Sequence, residues 1–203
     1  MRIIETRRAP NPRRLRIFLA EKGVSIPCEE QDLMTGSLKS AEFAELNPWQ
    51  QVPVLVFDDG RRLSESVAIC RYFEELQPSP PLMGAGPWGR AETEMWQRRV
   101  EFGLLYRVAQ VFRHLNPKMA HLELPQVVQW GEANKEKVYA ELRLIDKRLS
   151  ESPYIAGDVY SIADITALVA IDFMKPARLE VSSELINVDR WYGDVSRRPS
   201  AGA

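Results

Sequence analysis

Cysteine and histidine are scarce in this sequence, with two of each among 203 residues. Cys28 and Cys70 lie far apart without a C-x-x-C spacing, which argues against a disulfide framework or a zinc cluster and fits a reducing, cytoplasmic setting. His114 and His121 flank "LNPKMA" and read as helix-end or loop residues, so no metal is expected. An excess of one charge is also missing. With 27 basic against 28 acidic side chains the formal net charge is -1. Neither nucleic acid nor a membrane surface has a broad electrostatic footprint here, and small molecules are the expected partners. Long apolar runs are absent too: nothing approaches the roughly 18 residues of a membrane span, and "MRIIETRR" lacks the apolar stretch of a signal peptide.

What is there is an ordinary globular composition, 45% apolar, enough for one large core or two smaller ones. The clearest interruption is "QPSPPLMGAGP", residues 77–87, where four prolines and two glycines break any periodic pattern. Before it, strands and helices alternate. "MRIIE" reads as a strand, and Leu15, Phe18, Leu19 and Lys22 repeat at helical spacing up to a stop at Gly23. "IPCEEQDL" reads as a second strand, parallel to the first across the helical crossover, and "VPVLVF", "DDG" and "RRL" as a hairpin. Ile69, Tyr72, Phe73 and Leu76 mark a closing helix.

After the interruption the period is helical almost throughout: from about Trp88 to Leu115, then from Pro125 to about Leu149. "SIADITALVAIDFM" is apolar nearly all round, as the centre of a bundle is, with Ser161 and Asp164 at capping-box spacing and Lys175-Pro176 as its stop. The expectation is an α/β domain over residues 1–80, a linker over 81–87 and an all-α domain over 88–203.

Four segments in this order, "PNPRRLRIFLAEKG", "EFAELNPWQQVPVL", "LSESVAICRYFEE" and "YIAGDVYSIADITA", make the chain resemble a cytosolic glutathione transferase over essentially its whole length. The resemblance implies a thioredoxin-like first domain (βαβ-ββα), a helical bundle carrying a co-substrate site, glutathione as co-substrate and a homodimer. A cis peptide at Val52-Pro53 would let the Val52 backbone pair with a peptide-like ligand, whereas a trans proline would simply open a strand. Glu65 and Ser66 stand where a strand gives way to a helix: Ser66 either caps that helix or holds the γ-glutamyl carboxylate, with Glu65 near the ammonium group. Lys39, Gln50 and Gln51 occupy positions implied for the glycyl carboxylate, although Leu38 stands where one related class has a histidine donor.

Glutathione brings its own thiol, with an intrinsic pKa of roughly 8.5 or slightly higher, so the protein needs only groups that favour the thiolate. The hydroxyl that many relatives place in the first turn is replaced by Ala9, and Pro10 and Pro12 lack N–H groups. Asn11 is therefore the first candidate donor, together with the Asn11 and Arg13 backbone N–H groups; the competing reading is that Asn11 is the N-cap and Pro12 the first helical residue, with Asn11 either a cap alone or a cap that also donates its amide hydrogens. Arg13 and Arg14 are further sources of positive potential. Phe102 and Tyr106 on the first long helix are candidates for an apolar co-substrate pocket, and both cysteines read as small buried hydrophobes. Attack of the thiolate on an electrophile leads. Glutathione-dependent reduction of organic disulfides is a close alternative, and a noncatalytic interaction module a more distant one.

Overall fold

A computed structural model describes residues 1–203. The chain divides into two compact units, Met1–Pro81 with Gly202–Ala203, and Leu82–Ala201.

In the first unit four short strands, β1 (Arg2–Glu5), β2 (Cys28–Glu30), β3 (Val54–Val56) and β4 (Arg62–Ser64), form one sheet in the order β2-β1-β3-β4. β1 and β2 are parallel; β1–β3 and β3–β4 are antiparallel. The parallel pair follows from its connection, helix α1 (Pro10–Glu21), since adjacent parallel strands need a crossover. The antiparallel β3–β4 pair follows from the tight turn at Gly60, whose φ of 86° suits glycine. Alternation along the strands puts Ile4, Val54 and Val56 in one core with Leu38 and Phe43 of the segment ending in α2 (Ala41–Leu46). Helix α3 (Ser66–Leu76) packs beside α1. This is the thioredoxin-like arrangement.

Two local expectations at the helix starts change. α1 begins at Pro10 with Ala9 in the cap position, so Asn11 is the second helical residue and not the N-cap; Pro10, with its fixed φ, takes the first position that Pro12 was expected to fill. α3 begins at Ser66 itself, with Glu65 in the cap position at φ 68° and no side-chain cap bond. Ser66 is therefore not a cap. The C-terminus of α1 is held by Lys22, whose buried ammonium pairs with Glu74 at 2.6 Å and donates to the Gln77 and Pro80 carbonyls.

The second unit is helical: α4 (Gly86–Val100), α5 (Tyr106–Leu115), α6 (Val128–Glu151), α7 (Ile162–Met174) and α8 (Ile186–Val195). The expected single helix from Trp88 to Leu115 is one helical run in which Glu101–Leu105 forms a π turn between α4 and α5. Buried on nearly every side, α7 opens with the expected capping box at Ser161 and Asp164. Asp164 does more than the box requires: its Oδ1 also accepts from the Ile155 amide and the Trp191 indole, each at 2.9 Å. No helix is long and apolar enough to cross a membrane.

Candidate functional site

A small cleft in the first unit is lined by Asn11, Asn47, Gln51, Val52, Pro53, Glu65 and Ser66. Three separate turns build it, and each has a local cause.

The first turn is the start of α1. Of the N–H groups that an α-helix leaves unbonded at its N-terminus, Pro10 and Pro12 supply none, and the Arg13 N–H is used by the Ala9 carbonyl at 3.2 Å. The expected Arg13 backbone donor is thus consumed by the helix itself. That leaves the Asn11 backbone N–H and its side chain. The buried Arg14 guanidinium donates to Asn11 Oδ1. Because a guanidinium only donates, this contact fixes the amide orientation: oxygen toward Arg14, the NH2 group free for another partner. Arg14 thus orients Asn11 from within the core.

The second turn is "LNPWQQVP". Asn47 is buried and ties it together, donating from Nδ2 to the Gln51 carbonyl at 2.8 Å and accepting from the Trp49 amide at 3.2 Å. Gln50 follows with φ 54°, a left-handed conformation uncommon outside glycine and asparagine. The Val52-Pro53 bond is cis, and the Val52 N–H and carbonyl take no part in the hydrogen bonds that join turns and loops. Val52 stands at a bend just ahead of β3, with its backbone polar groups available. Sequence reasoning missed Asn47; the signal was the Asn-Pro dipeptide just after a helix, which favours a side-chain-stabilised turn.

The third turn joins β4 to α3. Glu65 at φ 68° is a second left-handed non-glycine residue beside the cleft, the kind of local strain that tertiary structure holds in place at binding sites. Ser66 is buried and opens α3, and the first bond at this end runs from the Ile69 amide to the Glu65 carbonyl at 2.9 Å. The amides ahead of it, at the positive end of the helix dipole, suit an anion.

The cleft gathers Asn11, Gln51, Val52, Pro53, Glu65 and Ser66 but neither Lys39 nor Gln50. Lys39 is exposed at the end of a short 3-10 turn, Ser37–Lys39, and Gln50 is half-buried. Phe102 and Tyr106 belong to the helical unit, where both are exposed. Cys70 is buried as expected. Cys28 is not: it is exposed at the start of β2, an edge strand. Partial burial of its sulfur and the nearby Glu5 carboxylate push its thiol pKa up, against the pull of Arg16, and a raised thiol is a weak nucleophile. His114, near the end of α5, accepts from the Val127 amide at 3.0 Å, a structural role.

Chemically, the cleft offers amide donors from Asn11 and Gln51, the available backbone N–H and carbonyl of Val52, and a hydroxyl at a helix N-terminus. That set fits an elongated, peptide-like anion. Residues 9–76 match the family model for the glutathione S-transferase N-terminal domain and residues 105–199 that for its C-terminal domain. Glutathione S-transferase 2 of Saccharomyces cerevisiae is 36% identical, the match covering 98% of this chain and 87% of that protein. Glutathione S-transferase F9 of Arabidopsis thaliana is 30% identical, covering 94% and 89%. The crystal structure of Gtt2 from Saccharomyces cerevisiae superposes with a TM-score of 0.95 at 35% identity, covering 100% of this chain and 99% of that one.

Proposed function

Since the chain belongs to the glutathione S-transferase family, we propose that it binds glutathione in the cleft of its first unit and stabilises the thiolate for attack on an electrophilic small molecule. The observation that carries this reading is the Asn11 amide, turned by Arg14 so that its NH2 group is free beside Val52 and Ser66. Ser66 and the start of α3 take the γ-glutamyl carboxylate, Glu65 its ammonium group, and Val52 pairs through its backbone with the central residue. Gln51, with Lys39 and Gln50 outside the cleft lining, is assigned to the glycyl carboxylate.

The sulfur then needs a partner for its charge. The Asn11 side-chain amide and backbone N–H both favour the thiolate over the thiol, which lowers its pKa without a protein nucleophile. The thiolate electron pair forms the new bond to carbon, and the leaving group departs with the electrons of the bond it breaks. Phe102 and Tyr106 are assigned to the co-substrate. On the same family ground we place the protein in the cytosol as a homodimer.

Melting temperature against increasing glutathione, with glutathione disulfide in parallel, tests this reading. A ligand selective for the folded state raises Tm by mass action, by about 2.7 kcal/mol of stability at a hundred times its Kd. A saturable rise with the reduced form supports the transferase reading, and a larger rise with the disulfide favours thiol–disulfide exchange. No shift with either moves the assignment to a noncatalytic module.

A further inference from the structure

The helical run that carries Phe102 and Tyr106 contains an irregularity the proposed chemistry does not use. Glu101–Leu105 winds as a π turn, in effect an α-helix with one residue inserted, a feature frequent at functional sites. Gly103 lies at its centre. A methyl group there would sit 2.5–2.7 Å from the carboxylate atoms of Glu141 on α6. The Glu141 carboxylate therefore fills the space that a side chain at position 103 would take.

Its surroundings are built around it. Arg99 and Arg107 act on Glu141 through charge, with no hydrogen bond to it from either, and partial burial outweighs them and raises its pKa. Arg99 stacks 4.6 Å from the Trp96 ring, which Arg148 also approaches at 5.1 Å, and Arg107 donates to Asn134 Oδ1 at 3.4 Å. Both flanking arginines are thus tethered to other groups. Burial of a carboxylate disfavours its charged form, and groups shifted in this way gather at functional positions.

We propose that the Gly103–Glu141 contact is a positioning device: the carboxylate seated against the glycine holds the π turn, and the π turn sets how Phe102 and Tyr106 meet the co-substrate. Gly103 and Glu141 thereby tune which electrophile is accepted without touching it. This rests on the assignment of the two aromatics to the co-substrate. The leverage is geometric, because losing the inserted residue would turn one side of the helix about 100° relative to the other.

The test compares Gly103→Ala, Glu141→Ala, their double variant and Glu141→Gln in the full chain. In Gly103→Ala only the flexible end of a glutamate has to move, and Glu141→Gln keeps the shape of the seated group. Two readouts are taken: KM for an aryl halide at saturating glutathione, and, without turnover, the Kd of anilinonaphthalene sulfonate, an apolar aromatic probe located by its loss in Phe102→Ala. Gly103→Ala and Glu141→Ala are expected to raise both by about three- to tenfold, the double variant no more than either single one, and Glu141→Gln to stay near wild type, with KM for glutathione unchanged throughout. Unchanged electrophile KM and probe Kd in the alanine variants overturn the proposal, as does a wild type that binds no probe. If the wild type conjugates no electrophile but the Kd pattern holds, the positioning device stands and the transferase reading falls.

Discussion

At Asn11 one side chain answers two demands. Its oxygen satisfies the buried Arg14, and that contact leaves the NH2 group as a donor beside the cleft. Replacing Asn11 with alanine is expected to raise the pKa of bound glutathione by about 1 unit and to lower kcat about tenfold or more, with little change in glutathione affinity. Ultraviolet titration of the bound thiolate together with steady-state kinetics checks this, and an unaltered thiol pKa removes Asn11 from its role. Ser66→Ala should act on the other axis, weakening glutathione binding by about 1–3 kcal/mol while the bound thiol pKa stays put. Isothermal titration reads that loss, and unchanged affinity would contradict the placement of the carboxylate. Residue identity at both positions was plain in the sequence. What it hid was local geometry, because Asn11-Pro12 reads as an N-cap and first helical residue whether or not the amide also donates; only the bond from Arg14, a residue buried by tertiary packing, decides the orientation of the amide.

Among the elements, α7 was the most legible. Its apolar residues on every side and its Ser161–Asp164 spacing gave both its burial and its start. Yet Asp164 also accepts from the Ile155 amide and the Trp191 indole, so one carboxylate ties together the preceding loop, α7 and α8. Asp164→Ala would strand several buried donors, and about 3–5 kcal/mol of stability is expected to go with them. Urea unfolding followed by tryptophan fluorescence measures it; a loss below about 1 kcal/mol would mean that water or rearrangement replaces those bonds. The run from α4 to α5 is the opposite case. Helical periodicity marked its extent correctly, but a π turn leaves almost no trace in a period, and Gly103 reads only as a weak helix former until Glu141 is found against it.

For the whole molecule, a balanced charge conceals individual carboxylates held away from their ordinary behaviour. Burial raises the pKa of Glu141 in the folded protein. Between its unfolded value, about 4.3, and that raised value the native state binds more protons than the unfolded one, so this residue's contribution to stability is full below that window and is lost as pH rises through it. Glu141→Gln is therefore expected to gain in Tm relative to wild type on going from about pH 4 to about pH 7. A difference in Tm that does not vary with pH would contradict this. The sequence by itself determined the two-part organisation, the order of the four strands with α1 and α3, the long helical stretches through α7 and the cap of α7, because these depend on periodicity, turn chemistry and neighbours a few residues away. It determined neither α2 nor α8. Only the tertiary structure decided that Asn47 ties the middle turn of the cleft, that Cys28 lies exposed on an edge strand, and that Glu141 fills the space beside Gly103. Those outcomes depend on contacts between segments far apart in the chain, and no local pattern encodes which side chain will arrive there.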